Sequence, residues 1–442
     1  MQDRYRENET VLFGQEHRRR EPESSGGRSL RYEDKMVMIL TAAGGVAALD
    51  AQAVFYLMPF IATDFALGSS QIGMIGSAVL VGWAIGGLLM ARASDRLGKR
   101  KPFLVAAFAC FALLSGLSAA AMGFATLLIA RILIGLAEGP VIPIKQAIVM
   151  VESTPSRRGF NMGIVQNFGA QLLGTLLGPI ILIAVAQNAG WRWAFLVAGI
   201  PGLIIALLIL RFIREPAIAA QAAPSPPSEN GQSQRNGAHA WRHLLGNRNL
   251  VLCTLIALAA VAWFFVMLTF LPLYLIRNLQ FSSSQMSLVM SLIGVAGVIS
   301  AVIVPAISDR HGRRTAIMIF SAIGAIAPLG ALYAGANPWV IGATLLIGCL
   351  MLGTFPLIMA TVPQESVQPA DAATATGLVI AVAQLGGGAI GPILAGWLAD
   401  RIGDDTPLML AAGLALIATG IAPFVRETKP PHRHDCAPTH PE

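Results

Sequence analysis

The sequence predicts an all-α polytopic membrane protein in which twelve transmembrane helices form two six-helix pseudo-repeat bundles. Three observations support this fold class. The chain is 55% hydrophobic and only 12% charged, which is about half the charged fraction of an ordinary soluble protein. Twelve apolar stretches each reach the roughly 20 residues that a helix needs to cross a bilayer. The two halves of the chain also repeat one another.

The apolar stretches begin after Lys35 and continue almost to the end of the chain. Because backbone polar groups within lipid must be satisfied inside the segment itself, each stretch is expected to be a helix. The predicted spans are 36–63, 71–91, 103–122, 124–150, 160–187, 193–212, 250–276, 284–306, 315–335, 338–362, 373–398 and 406–425.

Polar segments separate these spans into two bundles. Residues 1–35 are rich in Arg and Glu and lack the apolar core of a signal peptide, so they are expected to be a disordered cytoplasmic tail. Residues 214–249 contain A-A-P-S-P-P-S-E-N-G-Q-S-Q, which predicts a flexible cytoplasmic linker. The bundles are therefore predicted at 36–213 and 250–426, with a second cytoplasmic tail at 427–442.

Basic residues are concentrated in alternate loops. The loop after the second span holds five, and the loops after the fourth and eighth spans hold two and three. Positively charged loops stay on the cytoplasmic side. These loops and both termini are therefore expected in the cytoplasm, and the chain in the inner (plasma) membrane as a multi-pass protein. The same arrangement accounts for the net charge of +7 without nucleic acid as a partner.

The two halves match at an offset of 213–214 residues. The matching pairs include Pro59 and Pro272, Ser70-Gln71 and Ser284-Gln285, Asp95-Arg96 and Asp309-Arg310, Pro143 and Pro356, Glu152-Ser153 and Glu365-Ser366, and Gly178-Pro179 and Gly391-Pro392. Six spans in each half bring both halves into the membrane from the same side, so an axis along the membrane normal relates them. Two such halves around a site at the bilayer midplane are a transporter architecture.

One loop carries a recognisable signature. The segment A-R-A-S-D-R-L-G-K-R-K, from Ala91 to Lys101, resembles the G-x-x-x-D-R-x-G-R-R/K loop of the major facilitator superfamily, with alanine at the usual glycine position. The segment P-A-I-S-D-R-H-G-R-R, from Pro305 to Arg314, resembles it too, with proline there. The resemblance implies a cytoplasmic gate formed by Asp95, Arg96, Gly98, Arg100, Asp309, Arg310, Gly312 and Arg313. A loop that only fixes orientation is the alternative.

The ionisable residues within the predicted spans lie in the first half. Arg131, Glu138 and Lys145 follow one another at seven-residue intervals and share one stripe of a helix. Asp50 and Glu138 each lie about 14 residues from a span end, or ~21 Å along a helix, and hence near the bilayer middle. A charged carboxyl group there is costly, so both are predicted to take up and release protons. A permanent ion pair of Glu138 with Arg131 or Lys145 is the alternative.

Candidate substrate contacts surround these charges. Arg131 is predicted to bind an anionic group of the substrate because its guanidinium is a rigid five-donor fork, with a structural ion pair as the alternative. Lys145 is predicted either to contact the substrate or to extend towards the headgroups. The other candidates are Gln52, Tyr56, Gln166, Asn167, Gln171, Tyr274, Gln384 and the Trp263-Phe264-Phe265 cluster. Hydrogen bonding or packing between helices is the alternative for each.

The repeat gives the two halves different roles. It pairs Asp50 with Trp263 and Glu138 with Met351, so the second half carries aromatic and apolar groups where the first carries charge. This asymmetry favours proton handling in the first half and contact with the body of the substrate in the second.

A narrower resemblance concerns the same charges. The run R-I-L-I-G-L-A-E-G-P-V-I-P is similar to R-x-L-x-G-x-x-E-x-x-x-x-P in the anion:cation symporter family, as are G-W-R-W-A-F and F-L-P-L-Y-L further along. That resemblance implies that Asp50 and Glu138 take protons and that Arg131 supports the coupling. Ala51 stands where a basic, substrate-binding residue often occurs. The segment L-D-A-Q also resembles the start of aromatic-acid:proton symporters.

The sequence therefore predicts a proton-coupled symporter that takes up a small organic anion, a carboxylate, sugar acid or aromatic acid, by alternating access. A proton-coupled drug or metabolite efflux antiporter is the alternative, because Gly174 and Gly178-Pro179 partly match the glycine–proline string of such antiporters. No enzymatic activity, metal site or cofactor is predicted, since the nucleophile and metal-ligand spacings of such sites are missing. Protons, the anion and the lipid bilayer are the predicted partners of a monomer.

Overall fold

The computed structural model describes residues 26–215, 246–368 and 371–428. Within this part of the chain, twelve helices are long and apolar enough to cross a membrane. They are α1 (Gly26–Asp64), α2 (Ser69–Leu97), α3 (Lys101–Ala119), α4 (Phe124–Glu152), α5 (Arg158–Ala189), α6 (Trp191–Phe212), α7 (Arg248–Arg277), α8 (Ser283–His311), α9 (Arg313–Tyr333), α10 (Pro338–Glu365), α11 (Thr374–Ile402) and α12 (Thr406–Phe424). The predicted fold class is confirmed.

The first helix starts earlier than the sequence pattern indicates. Helix α1 begins at Gly26, so the last ten residues of the predicted tail are helical, and the first 25 lie outside the described residues. The reason is a contact with the α4–α5 connection. The buried carboxylate of Glu33 accepts hydrogen bonds from Asn161 Nδ2 at 2.5 Å and from the backbone N–H of Thr154 at 3.2 Å. Residues 216–245 of the linker predicted at 214–249 and residues 429–442 of the tail predicted at 427–442 also lie outside the described residues, and α7 begins within the predicted linker, at Arg248.

Helix ends lie at two faces of the bundle. We call the face that contains segments 98–100, 153–157 and 312 the basic face, and the face that contains 65–68, 120–123, 190, 278–282, 334–337 and 403–405 the opposite face. The signature glycines Gly98 and Gly312 have φ angles of +61° and +97°. Only glycine adopts this region without strain and so ends a helix readily. This requirement explains the last glycine of each signature copy.

The two halves, α1–α6 and α7–α12, pack most extensively through two helix pairs. Helix α2 packs along α11, and α5 packs along α8. Glycines permit the close approach: a β-carbon on Gly294 of α8 would lie 2.6 Å from the backbone nitrogen of Leu176 in α5. Gly73 near the start of α2 faces the backbone of Pro392 in α11 in the same way. These contacts join the halves towards the opposite face.

Several helices are irregular near the middle of the bundle. Helix α4 is interrupted after Glu138, at Gly139 and Pro140, and resumes at Val141. Pro143 does not interrupt the helix, because it lies in the first turn of the resumed helix. Backbone N–H groups in a first turn have no acceptor within the helix, so proline removes no hydrogen bond there. Helices α5 and α11 contain π-helical turns at Ala170–Leu177 and Ala383–Ala389. Such turns often occur at functional sites.

Candidate functional site

A cavity of about 200 Å³ lies between the two halves. Helices α1, α2, α4 and α5 form its first wall, and α7 forms the wall of the second half. The residues that line it are Gly44, Ala47, Ala48, Ala51, Gln52, Phe55, Val79, Leu80, Trp83, Glu138, Val141, Ile142, Lys145, Gln166, Ala170, Phe264, Phe265 and Leu268. The cavity thus occupies the place that the two-bundle architecture predicts for a substrate site.

The charged stripe of α4 divides at this cavity. Glu138 and Lys145 line the cavity, whereas Arg131 does not. The Arg131 side chain is fully buried behind the wall. The structure therefore brings together two of the three charges at the cavity, and it does not support Arg131 as a direct ligand of the substrate.

Glu138 is a carboxyl group without a hydrogen-bond partner. It is 1% exposed, and neither of its carboxyl oxygens has a partner among the described residues. The indole of Trp83 on α2 lies beside it, but its Nε1 also has no partner. Gly82 and Gly86 on either side of Trp83 pack against the backbone of α4 and bring the two helices together. Unsatisfied polar atoms of this kind are rare in buried positions and point to a functional role.

Lys145 is the cation of the cavity. Its side chain is buried, and it makes no ion pair with any residue in the described part of the chain. Its Nζ lies against α1, where a β-carbon on Gly44 would be only 2.6 Å away. The Lys145 side chain therefore lines the cavity rather than extending to the headgroups, and its contact with a substrate stays a prediction.

Asp50 and Arg131 form a buried pair behind the cavity wall. Arg131 Nη1 lies 4.0 Å from Asp50 Oδ2 and donates to the Asp50 backbone carbonyl at 3.3 Å. Arg131 Nη2 donates to Ser118 Oγ at 2.7 Å, and the guanidinium lies over the ring of Phe195, 4.5 Å from its centre. Ser115 Oγ lies 2.5 Å from Asp50 Oδ1. Arg131 therefore has partners within the protein, as the structural alternative requires.

The polar candidates also divide into two groups. Gln52 and Gln166 line the cavity. Tyr56 lies behind the wall and donates to Gln52 Oε1 at 2.6 Å. The residues that do not line the cavity are Asn167, Gln171, Trp263, Tyr274 and Gln384. Their role in binding stays a prediction.

Four aromatic residues line the cavity: Phe55, Trp83, Phe264 and Phe265. Two belong to the predicted Trp263-Phe264-Phe265 cluster, but the third member, Trp263, is fully buried outside the cavity. Consecutive helical residues point about 100° apart, so a cluster in the sequence cannot show which member faces the cavity. Apart from the glycines near it in the chain, nothing in the sequence indicates that Trp83 lines the cavity.

The second signature loop forms a network within its own half. Arg313 pairs with Asp309 and also donates to Glu365 Oε1 at 3.2 Å. In the first copy, Arg100 Nη1 donates to Ser94 Oγ at 3.2 Å, and the backbone N–H of Arg100 donates to Glu215 Oε1. The side chain of Asp95 lies outside the described residues. The predicted cytoplasmic gate therefore stays a prediction.

Comparison with known proteins decides the family. The sequence model of the Major Facilitator Superfamily matches residues 40–392. The chain belongs to the Major Facilitator Superfamily. Among its curated relatives in the superfamily, a hexuronate transporter of Bacillus subtilis is 30% identical over 89% of this chain and 95% of the relative. A 3-(3-hydroxy-phenyl)propionate transporter of Escherichia coli is 28% identical over 95% of this chain and 99% of the relative.

Solved structures show the same fold. A D-xylose-proton symporter is 20% identical and superposes with a TM-score of 0.72 over 90% of this chain and 99% of that structure. The nucleoside transporter NupG is 14% identical, with a TM-score of 0.72 over 88% of this chain and 98% of that structure. The match to the superfamily's sequence model confirms the superfamily predicted from the signature loops, and the chain is a multi-pass membrane transporter.

Proposed function

We propose that this transporter is a proton-coupled symporter that takes up a small organic anion by alternating access. The observation that carries the proposal is the presence of two complementary groups in one cavity between the halves. Glu138 is a carboxyl group without a hydrogen-bond partner, and Lys145 is an ammonium group without an ion-pair partner in the described part of the chain. The first can take a proton, and the second can hold a carboxylate.

The charge balance of the site links the two events. Asp50, Glu138, Arg131 and Lys145 carry formal charges that cancel when both carboxyl groups are ionised. When Glu138 takes a proton, one positive charge remains, which attracts an anion strongly in a poorly polarisable site. Thermodynamic linkage requires that a bound anion favours the proton on Glu138 to the same extent. Proton and anion therefore bind cooperatively, as symport requires.

We assign anion binding to Lys145 and a supporting role to Arg131. Lys145 lines the cavity, and its ammonium has no competing carboxylate partner among the described residues. Arg131 already donates to Ser118 and to the backbone of Asp50. Its charge stabilises Asp50 and adds to the positive potential that an incoming anion meets.

Asp50 is the second proposed proton site. Ser115 Oγ lies 2.5 Å from Asp50 Oδ1 and 2.9 Å from the carbonyl oxygen of Phe195, but one hydroxyl proton serves one acceptor at a time. An ionised Asp50 accepts this proton. A neutral Asp50 can instead donate to Ser115, which then donates to Phe195. A group with two satisfied hydrogen-bond patterns suits reversible protonation.

The two halves supply the proposed movement. We place the basic face and both termini in the cytoplasm and the chain in the inner membrane, since positively charged loops stay inside. The cavity would then be reached from either side as the halves rock about it. The proposed transporter works as a monomer, needs no cofactor, and draws its energy from the proton gradient. The names of the relatives, a hexuronate and a hydroxyphenylpropionate transporter, support an organic acid as its cargo.

Uptake into proteoliposomes tests this function. The purified chain is reconstituted, the outside is made more acidic than the lumen, and labelled benzoate and glucuronate are added. We expect accumulation of at least one acid above that of protein-free liposomes, which measure passive diffusion of neutral acid, and loss of that difference with a protonophore. The proposal fails if neither acid accumulates beyond the protein-free level. It also fails if the gradient instead expels a preloaded organic cation, which would indicate the antiporter.

A further inference from the structure

The composition of the cavity wall limits the class of anion that the cavity can bind. This inference rests on the proposed function. Phe264 and Phe265 lie edge to face with ring centres 5.2 Å apart, and Phe55 adds a third ring 6.2 Å from Phe265. With Trp83 they form an aromatic wall. An aromatic ring of a ligand gains from edge-to-face contacts with such a wall beyond simple burial.

Polar partners in the cavity are few by comparison. The oxygen of Gln52 already accepts hydrogen bonds from Tyr56 at 2.6 Å and from Thr175 at 3.3 Å, so only its amide protons remain. Among the described lining residues, Gln166 and Glu138 are the other polar side chains besides Lys145. A sugar acid brings several hydroxyl groups, each of which must recover the hydrogen bonds that it loses to water. The wall does not offer enough partners for them.

The charges also limit the ligand. Lys145 is the cation that lines the cavity among the described residues, and Glu138 is the carboxyl group seven residues earlier on the same face of α4. A second carboxylate on the ligand would lie against apolar wall or near Glu138, and burial of an unpaired charge is costly. We propose that the substrate is an aromatic acid with a single carboxylate, held by Lys145 with its ring against Phe55, Phe264 and Phe265. This differs from the hexuronate named for the Bacillus subtilis relative.

Titration calorimetry at one fixed pH tests the proposal with four probes. Benzoate is the expected ligand, cyclohexanecarboxylate lacks the ring electrons, terephthalate adds a carboxylate, and glucuronate adds hydroxyls. We expect benzoate to bind roughly tenfold or more tighter than glucuronate and terephthalate, with cyclohexanecarboxylate between. Phe265→Leu is expected to weaken the binding of benzoate more than that of cyclohexanecarboxylate. Phe424→Leu, at an exposed position, is expected to leave the affinity for both acids unchanged.

The outcomes separate the two proposals. If glucuronate binds tighter than benzoate and is accumulated with the proton gradient, the aromatic preference is wrong and the symport proposal stands. If Phe265→Leu weakens benzoate and cyclohexanecarboxylate equally, the aromatic wall acts only by apolar burial and the preference for a ring is wrong. If no probe binds and none accumulates, both proposals fail.

A second inference rests on a different observation, at the opposite face. The end of α11 reads G-W-L-A-D-R-I-G, from Gly396 to Gly403, which matches the G-x-x-x-D-R-x-G part of the signature completely. The two copies at the basic face have Ala91 and Pro305 at the first glycine. The basic residues that follow those copies are replaced here by Asp404 and Asp405.

This third copy joins the two halves. Asp400 Oδ1 accepts from the backbone N–H of Ser69 and Oδ2 from that of Ser70, both at 2.9 Å, and the Ser70 hydroxyl donates to the same carboxylate. A carboxylate from the second half therefore caps the first turn of α2 in the first half, where the free N–H groups and the helix dipole favour a negative charge.

Two glycines permit this contact. A β-carbon on Gly396 would overlap the backbone carbonyl of Ser69, so glycine is required for the close approach of α11 to α2. Gly403, three residues after Asp400, has a φ angle of +141° and ends α11. Arg401 turns away and lies over the ring of Trp397, 4.0 Å from its centre.

We infer that this segment is a latch that holds the opposite face closed, and that it must open whenever the cavity opens towards that face. Breaking it should shift the population towards the state that is open there. A cysteine at Leu268, which is buried on the cavity wall, can report this shift. The labelling rate of this cysteine with a bulky, membrane-impermeant maleimide is measured in right-side-out vesicles. The unmodified chain, which has four native cysteines but none at position 268, gives the background labelling.

We expect Asp400→Asn, which keeps one acceptor oxygen but removes the second acceptor and the charge that faces the helix dipole, to raise the labelling rate by about 2- to 5-fold. Ser70→Ala removes only the hydroxyl donor and should give a smaller rise. Asp404→Asn removes the same charge four residues further on and serves as the control. Equal labelling of all variants, with unchanged thermal unfolding, would show that the segment is no latch. A lower labelling rate in Asp400→Asn than in the unmodified chain would also contradict the inference. If Asp400→Asn does not fold, the labelling rate of Ser70→Ala tests the inference instead.

Discussion

Helices α4 and α10 occupy equivalent places in the two halves but differ in chemistry. Arg131, Glu138 and Lys145 of α4 correspond, 213 residues later, to Thr344, Met351 and Ile358 of α10. Both helices are irregular at the middle position: α4 is interrupted after Glu138, and α10 has a 3-10 turn at Cys349–Thr354. The repeat has therefore kept an irregular backbone at this position and changed the side chains.

This difference separates the tasks of the two halves. Met351 is fully buried and packs against Gly324 of α9, so the second half is closed by apolar contact at the position where the first half has an unpartnered carboxyl group. Apolar packing does not depend on protonation. The first half can thus respond to a proton while the second keeps its shape and presents Phe264 and Phe265 to the cavity.

Glu138→Gln tests this division of tasks most directly, because it keeps the shape of the side chain and removes its proton site. We expect proton-driven accumulation to fall to the level of protein-free liposomes, while counterflow exchange at equal pH continues. Met351→Leu, at the equivalent place in α10, is the control and should accumulate normally. Full accumulation by Glu138→Gln would remove this residue from the coupling.

Arg131→Met tests whether Arg131 acts through Asp50. The substitution leaves the Asp50 carboxylate buried without a cation, and breaking such a pair costs about 3–5 kcal/mol of folding free energy. Thermal unfolding in detergent should show this loss, and Asp50→Asn added to Arg131→Met should recover part of it. Thr344→Val is the matched change in α10 and should have little effect. Unchanged stability together with weaker benzoate binding would instead make Arg131 a substrate ligand.

Lys145→Gln tests the anion site. We expect the Kd for benzoate to rise roughly 10- to 100-fold, because one charge-assisted hydrogen bond in the cavity is lost. Titration calorimetry measures this change. Arg211→Gln, which removes an exposed cation at the end of α6, should bind as the unmodified chain does. If the two variants bind equally well, Lys145 does not hold the anion.

Gly44→Ala should have the smallest effect. Its methyl group would lie 2.6 Å from Lys145 Nζ and displace the ammonium slightly. Benzoate binding is expected to weaken by about 2- to 5-fold, while stability holds or rises because alanine favours a helix. Gly413→Ala has open space around its new methyl group and provides the same helix preference without the contact. Equal affinities would place the ammonium elsewhere during binding.

Much of the site could be predicted from residue spacing, and some of it could not. Glu138 and Lys145 share one helix face, and the structure places both at the cavity. Arg131 lies two turns before Glu138 on the same stripe, yet it is turned into a pocket formed by Ser118 and Phe195. Spacing along one helix cannot show which of its neighbours fills the space beside it.

The order of the residues was enough to predict the twelve spans, the repeat and the superfamily, because apolar length, charge placement and signature loops are local properties of the chain. Packing between helices places Lys145 rather than Arg131 at the cavity, and this could not be predicted from the sequence. The same holds for Glu33, which extends α1, and for Asp400, which caps α2 from the other half. Each of these results depends on contacts between residues far apart in the chain, and local patterns carry no record of them.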